Sequence, residues 1–320
     1  MADNDAGGNN FEDIFVTAPD GLKLHVRSYG PRPGPNLPAM SLPVVCLPGL
    51  ARTAADFHDL AVVLGSDPDA PRRVIAIDYR GRGLSDYDRD PRNYNLKTEL
   101  ADLLAVLAAL NIGPAVFVGT SRGGILAMLL ASARPTAIAG VVLNDIGPVI
   151  EPSGLARIKS YVGKLPWPKS FEEGAEILRR LFGKQFTKLT DEQWLAYSHR
   201  SFKPGQRSIA AQRTASLGSP LEPTYDVQLA KTLRGIDFGR RMPPLWNEFD
   251  ALGRVPLMVL RGENSDLLSE ATLAAMRERR GGMETFVVPE QGHAPILSGA
   301  ELIGRIAGFA AACEPERATV

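Results

Sequence analysis

Short apolar runs alternate with amphipathic stretches along most of the chain. Residues 11–16 and 22–28 flank the turn-forming sequence Pro19-Asp20-Gly21 and predict a β-hairpin. Six later runs are short and apolar, which predicts strands at residues 43–47, 74–78, 115–118, 138–144, 256–260 and 284–289. Helical patterns separate most of them, at about residues 54–64, 96–110, 125–133, 270–280 and 301–313. This alternation predicts an α/β fold with a mostly parallel sheet and helices on both faces.

The alternation stops between residues 148 and 250. Helical patterns occur there, at about residues 172–181 and 191–198, without a convincing pair of strands. The stretch also contains all three tryptophans, Trp167, Trp194 and Trp246. We predict that residues 148–250 form a helical insertion after the sixth strand of a core made of residues 1–147 and 251–320.

Composition narrows the class of protein. The 36 basic and 36 acidic residues give a formal net charge of zero, and no basic cluster suggests nucleic-acid binding. No stretch approaches the ~18 apolar residues of a membrane span, and residues 1–10 lack the features of a signal peptide. Neither a metal-ligand spacing nor a phosphate-binding glycine loop is present, so we expect no metal and no cofactor. We expect a cytoplasmic protein with a small-molecule substrate, and we make no prediction of its oligomeric state.

The sequence Gly119-Thr120-Ser121-Arg122-Gly123 is the strongest candidate for chemistry. It fits the pattern G-x-S-x-G, in which a serine occupies a strained turn between a strand and a helix. The preceding run, residues 115–118, predicts a buried strand, and the following residues 124–131 predict a helix. This setting predicts that Ser121 is a nucleophile, whereas in a purely structural role it would only cap the helix.

A serine nucleophile needs a base, and the chain has four histidines. His293 follows a late apolar strand, where a loop would carry it to the sheet edge, so we predict that it is the base. His25 lies in a predicted strand and should face solvent or an edge. His58 lies in an early helix, and His199 lies in a polar stretch of the insertion.

Two acids compete to orient His293. Asp266 and Asp145 each lie just past a predicted strand, and the carboxyl ends of parallel strands meet at one edge of a sheet. Asp266 precedes His293 with one helix between them, which suits adjacent strands. We predict Asp266 as the acid and keep Asp145 as the alternative; Glu263 is interpreted as a loop residue.

With Asp266, the chain order is Ser, Asp, His, as in the α/β-hydrolase arrangement. Over nearly its whole length the chain resembles the α/β-hydrolase superfamily. The resemblance rests on six ordered motifs: residues 46–50 (CLPGL), 78–85 (DYRGRGLS), 119–123 (GTSRG), 144–148 (NDIGP), 261–266 (RGENSD) and 291–293 (QGH). The superfamily places a helical cap, or lid, at the position of the insertion. The resemblance therefore implies that residues 148–250 cover Ser121.

The resemblance also implies an oxyanion hole formed by two backbone amides, those of Leu50 and Arg122. The side chain of Arg122 either pairs with Asp145 or Glu263 or faces an anionic group of the substrate. We predict Arg52, Trp167 and Trp194 as residues of the substrate pocket. The alternative for the aromatic residues is that they pack the core of the cap itself.

Serine at position 121 argues against the dehalogenases and epoxide hydrolases of this fold, which have aspartate at the equivalent position of the motif. We therefore predict a serine hydrolase that cleaves carboxylic esters of small to medium size through an acyl-enzyme intermediate. A lactonase or a C–C bond hydrolase acting on an anionic substrate is the alternative, suggested by Arg52 and Arg122. A ligand receptor without catalysis on the same fold is a third hypothesis.

Overall fold

One eight-stranded sheet forms the centre of the computed structural model, which describes residues 10–32, 41–205, 220–235, 242–253 and 255–315. The described strands are β1 (Phe11–Thr17), β2 (Lys23–Tyr29), β3 (Val44–Leu47), β4 (Val74–Ile77), β5 (Ala115–Thr120), β6 (Ile138–Asn144), β7 (Phe202–Pro204), β8 (Leu221–Pro223), β9 (Leu257–Gly262) and β10 (Glu284–Val288). The sheet has the order β1-β2-β4-β3-β5-β6-β9-β10. Strand β2 is antiparallel to β1 and β4, and the remaining neighbours are parallel. The predicted α/β fold with its N-terminal hairpin is confirmed.

Helices connect the parallel strands, as the sequence pattern predicts. The described helices are α1 (His58–Gly65), α2 (Leu96–Ala109), α3 (Arg122–Ala133), α4 (Pro152–Tyr161), α5 (Phe171–Phe182), α6 (Asp191–Ser201), α7 (Trp246–Ala251), α8 (Glu270–Arg279) and α9 (Ala300–Ala312). The described residues also include short 3-10 helices at Ala54–Phe57, Pro91–Asn93, Pro135–Ala137 and Val227–Leu233. Asn95 caps α2 and Ser269 caps α8, each by accepting a hydrogen bond from a backbone amide of the first turn.

The central strands are buried on both faces, because successive side chains point to opposite sides of the sheet. In β3, Val45 and Leu47 join an apolar cluster that includes α2, α3 and α8, whereas Val44 and Cys46 join a second cluster with α1 and α9. This two-sided burial explains why the strands read as continuous apolar runs. It also fixes the carboxyl ends of β5, β6 and β9 side by side.

We call residues 148–250 the cap, and none of its described residues adds a strand to the central sheet. Helices α4, α5 and α6 lie here, and α5 and α6 enclose a separate apolar cluster that includes Leu178, Phe182 and Trp194. The expectation that this stretch has no strand pair is wrong, because β7 and β8 pair as a short antiparallel ribbon. The predicted boundary after residue 250 falls inside α7, which packs on α3 through the buried Phe249. The division into core and cap otherwise stays a prediction.

His25 differs from the expectation of an exposed or edge residue. Its side chain is completely buried between Asp78 and Asp13, with Nδ1 2.7 Å from Asp78 Oδ2 and Nε2 2.8 Å from Asp13 Oδ1. Two carboxylates therefore compensate the burial of this polar ring.

No helix among the described residues is long and apolar enough to cross a membrane.

Candidate active site

Ser121 lies in a strained turn between β5 and α3. Its φ of 51° is in the left-handed region, which a residue with a side chain rarely adopts. A Cβ on Gly119 would lie 2.5 Å from the amide nitrogen of Gly124, and one on Gly123 would collide with the Leu47 carbonyl. The two glycines of the motif are therefore required by the close approach of the backbone around Ser121. The predicted strand, turn and helix are all present.

His293 joins this serine to an acid. Its Nε2 lies 2.8 Å from Ser121 Oγ, and its Nδ1 lies 2.8 Å from Asp145 Oδ2. Asp145 is completely buried just past β6, and its φ of 56° is also in the left-handed region. The backbone amide of Gly262 donates to Asp145 Oδ1 at 2.8 Å, and the Ser265 hydroxyl donates to Oδ2 at 2.6 Å. A carboxylate held by these donors can orient the imidazole and stabilise its cationic form.

The predicted acid therefore needs correction, because His293 is hydrogen-bonded to Asp145 and not to Asp266. The carboxylate of Asp266 instead accepts from Arg157 of α4, at 2.6 Å from Nε and 2.8 Å from Nη2. Burial acts to raise the pKa of Asp266, but the hydrogen bonds and charge of Arg157 outweigh it and the pKa lies below its usual value. Asp266 thus connects the cap to the core. The catalytic roles of Ser121, His293 and Asp145 stay proposals.

The two predicted oxyanion donors lie beside Ser121. Arg122 is the first residue of α3, so its amide has no acceptor within the helix. Among the described residues, the amide of Leu50 donates to none, and Leu50 and Ser121 line the same cavities. Both amides are thus available for a developing oxyanion, and their role as donors stays a prediction.

The side chain of Arg122 forms an ion pair, with a partner that the sequence did not suggest. Its Nε donates to Glu99 Oε2 at 2.5 Å, so neither Asp145 nor Glu263 is the partner. Glu99 is completely buried in α2 and also lies 2.9 Å from Nη1 of Arg82. The sequence did not identify Glu99 as the partner of Arg122, because its position in a predicted helix does not show which residues its side chain faces.

A cavity of about 100 Å³ extends from Ser121 and His293 beneath the cap. Arg52 lines it, as predicted, but Asp56 accepts from both Nε and Nη2 of this arginine and Ser201 accepts from Nη1. Burial acts to lower the pKa of Arg52, but the carboxylate of Asp56 outweighs it, so the pKa lies above its usual value. The guanidinium also lies over the ring of Tyr197, 4.5 Å from its centroid.

The predicted tryptophans do not line the cavity. Trp167 is half exposed, and Trp194 is buried in the cap cluster. The aromatic residues that do line it are Phe57, Tyr161, Phe182, Tyr197 and Tyr225, together with apolar side chains including Leu165, Ile296 and Leu297. Periodicity could have placed Tyr161 and Tyr197 on cap helices, but no sequence signal showed which helix face covers Ser121.

A second, larger cavity of about 570 Å³ also has Ser121 in its lining. Its apolar wall includes Ile146, Ile150 and Leu155, and Arg122 contributes to the polar part of its lining. Ser121 therefore lies where two cavities meet, as a nucleophile must if the substrate has groups on both sides of the attacked carbonyl. Among the residues that the structure describes, no group of three or more His, Cys, Asp or Glu side chains is arranged to hold a metal ion.

Comparisons with known proteins identify the family. Residues 44–305 match the model of the alpha/beta hydrolase family. A 3-hydroxybutyrate-oligomer hydrolase of Cupriavidus necator is 35% identical over 286 residues, covering 88% of this chain and 91% of that protein. A 2-(acetamidomethylene)succinate hydrolase of Mesorhizobium japonicum is 25% identical, covering 77% of this chain and 79% of that protein.

Among solved structures, an alpha/beta hydrolase from Novosphingobium aromaticivorans superimposes with a TM-score of 0.82 at 39% identity. The match covers 95% of this chain and 99% of that one. The family match, the relatives and the sheet order agree with one another, and the chain belongs to the alpha/beta hydrolase family.

Proposed function

We propose that this hydrolase cleaves carboxylic esters by nucleophilic catalysis at Ser121. The observation that carries the proposal is the unbroken chain of hydrogen bonds from Ser121 through His293 to Asp145, with 2.8 Å at each step. A serine, a base and an orienting acid in this arrangement are the parts that acyl transfer requires.

In the proposed reaction, His293 Nε2 takes the proton of Ser121 Oγ as that oxygen attacks the ester carbonyl. Asp145 keeps the proton on Nδ1 and stabilises the imidazolium that forms. The amides of Leu50 and Arg122 stabilise the tetrahedral oxyanion. His293 then protonates the leaving alcohol, and a water molecule activated by the same imidazole releases the acid from Ser121.

The substrate that we propose is a short hydroxy-acid ester, including oligomers of 3-hydroxybutyrate. Ser121 lines two cavities, so the acyl group and the alcohol group of an ester bound at this serine have separate spaces to occupy. The larger cavity is largely apolar, whereas the smaller one combines apolar walls with polar side chains that include Arg52, Asp56 and Arg200. The activity of the Cupriavidus necator relative is an ester hydrolysis of this kind.

The alternative of an anionic lactone or C–C bond substrate is weakened by the ion pairs of the site. Arg52 and Arg122 suggested it, but Arg52 is paired with Asp56, and Arg122 is paired with Glu99, which it shares with Arg82. The existing partners of both guanidiniums therefore weaken the reason for proposing an anionic lactone or C–C bond substrate.

Hydrolysis of p-nitrophenyl esters from acetate to palmitate, together with 3-hydroxybutyrate dimer and trimer, tests the proposal. We expect turnover with one preferred chain length, and we expect Ser121→Ala to lower kcat by about 10⁴–10⁶. Unchanged melting temperature of the variant is the control for folding. Absence of turnover by folded wild type would refute ester hydrolysis, in favour of the lactone, C–C or receptor hypotheses. Full activity of Ser121→Ala would refute the nucleophile.

A further inference from the structure

Both predicted oxyanion donors are connected to one buried group of charged side chains. Arg82 Nε donates to the carbonyl oxygen of Leu50 at 2.9 Å, and Arg82 Nη1 lies 2.9 Å from Glu99 Oε1. The other oxygen of Glu99 accepts from Nε of Arg122 at 2.5 Å. Leu50, Arg82, Glu99 and Arg122 thus form a continuous series of contacts from one side of the predicted oxyanion hole to the other.

This network is buried, and the burial of charged side chains costs free energy because they lose their hydration. Arg82 and Glu99 are completely buried, and 14% of the Arg122 side chain is exposed. Arg82 Nη2 has no hydrogen-bond partner among the described residues. A buried ion pair of this kind is often no more stabilising than well-packed apolar residues of the same volume. Stability alone therefore explains the network poorly.

Further contacts surround Arg82. Arg82 Nη1 donates to the carbonyl of Arg80 at 2.6 Å, and the guanidinium lies between the rings of Tyr79 and Tyr94, 5.6 and 5.5 Å from their centroids. Arg82 pairs through its backbone with Tyr225 of the cap. A fixed guanidinium holds the Leu50 carbonyl, and a fixed Glu99 holds the first residue of α3.

We propose that Arg82 and Glu99 are positioning residues that set the spacing and direction of the Leu50 and Arg122 amides. The network carries one more positive than negative charge, since Arg82 and Arg122 share Glu99, and this excess lies beside the site where the oxyanion develops. Donors that are already oriented toward developing charge stabilise it without reorganisation. The inference rests on the proposed ester hydrolysis at Ser121.

The test is Glu99→Gln, which keeps the volume of the side chain and removes its charge. Loss of one oxyanion donor lowers kcat by about 10²–10³, so a misaligned donor should lower it by about 10–100-fold with p-nitrophenyl butyrate. We expect KM to change less than threefold. Affinity for butylboronic acid, which forms a tetrahedral adduct with serine, should fall by the same factor as kcat, whereas affinity for pentanol should stay unchanged.

Asp102→Asn is the matched control. Asp102 is buried on the same helix, one turn from Glu99, and pairs with Arg80 of the same loop through two hydrogen bonds of 2.7 and 2.6 Å. The Asp102 side chain contacts neither Leu50 nor Arg122, and the link from this pair to Arg82 is the backbone carbonyl of Arg80, which the substitution leaves in place. We expect this variant to lose stability as Glu99→Gln does, while kcat of the folded protein remains within twofold of wild type.

A triple variant, Arg82→Met, Glu99→Met and Arg122→Met, covers the case in which Glu99→Gln does not fold. It removes all three charges together and leaves no unpaired one, so folding should be retained. The proposal predicts at least a tenfold lower kcat in this folded protein. Wild-type kcat in either variant, or equal loss of boronate and pentanol binding, would overturn it. Absence of ester hydrolysis by folded wild type would instead refute the proposed function.

Discussion

Two aspartates at neighbouring strand ends have different environments. Asp145, after β6, is completely buried and accepts hydrogen bonds from His293, Gly262 and Ser265. Asp266, after β9, keeps 27% of its side chain exposed and accepts from Arg157 of the cap. The sheet brings both residues to the same edge, but one carboxylate points toward the histidine and the other is held by the cap. Position at a strand end therefore identifies candidates for the acid that orients His293. The hydrogen-bond donors around each carboxylate determine which of them contacts the histidine.

The loop that carries Asp266 still contributes to the site. Gly262, the last residue of β9, and Ser265 of this loop donate to the two oxygens of Asp145, and the Ser265 hydroxyl also accepts from the amides of Leu267 and Leu268. The amide of Glu151, just before α4, donates to the Leu267 carbonyl. The loop thus supports the acid on one side and the cap on the other.

The largest expected difference is in activity after replacement of Asp145. Asp145→Asn should lower kcat by about 10⁴, because the amide favours the wrong tautomer of His293 and does not stabilise the imidazolium. Steady-state kinetics with the preferred p-nitrophenyl ester measures this loss. A fall of less than tenfold would contradict the assignment of Asp145.

A smaller effect is expected from the loop that supports this acid. Ser265→Ala removes a hydrogen bond to Asp145 Oδ2, the same oxygen that accepts from His293, and should lower kcat by about tenfold. The matched control is Ser153→Ala, since the Ser153 hydroxyl donates to the backbone carbonyl of Asp266. Ser153→Ala should keep kcat within twofold of wild type. Equal losses of kcat in the two serine variants would contradict the conclusion that Ser265 supports the catalytic acid and that Asp266 does not act as this acid.

The smallest effect on activity is expected from Asp266 itself. Asp266→Asn should change kcat by less than threefold but lower the free energy of unfolding by about 1–2 kcal/mol, because it breaks a half-buried pair with Arg157. Denaturant unfolding measures the difference.

The pH dependence of that difference follows from the sign of the pKa shift. The pKa of Asp266 is lowered from the usual 3.8, so the pair stabilises the fold above this value and its contribution is lost as pH falls through the folded-state pKa. The gap between wild type and Asp266→Asn should therefore stay constant from neutral pH down to about pH 5 and narrow only in more acidic solution. A gap that vanishes already near neutral pH would contradict the ion pair.

Sequence patterns predicted the fold and the Ser121–His293 pair because these depend on local features. A strand, a tight turn and a helix are encoded within residues 115–133, and His293 lies on a loop directly after β10. The choice of acid is not local. Both candidates follow strands, and the difference between them arises from Arg157 in the cap and from the left-handed backbone at Asp145.

The pocket was predicted least well, for a similar reason. Trp194 is apolar enough to serve either a pocket or a core, and only packing against Leu178 and Phe182 shows that it belongs to the cap cluster. The partner of Arg122 was also missed, since Glu99 comes from a helix 23 positions earlier in the chain. Side-chain direction across elements distant in sequence cannot be deduced from hydrophobic periodicity.

Proton NMR of the imidazole N–H region tests the assignment of the acid most directly. A histidine Nδ1 proton donated to a carboxylate gives a strongly deshielded resonance, and comparison with His293→Ala separates the His293 signal from that of His25, which contacts Asp78 and Asp13. We expect the His293 resonance to be present in wild type and Asp266→Asn and absent in Asp145→Asn. Its persistence in Asp145→Asn and loss in Asp266→Asn would contradict the assignment of Asp145 as the acid.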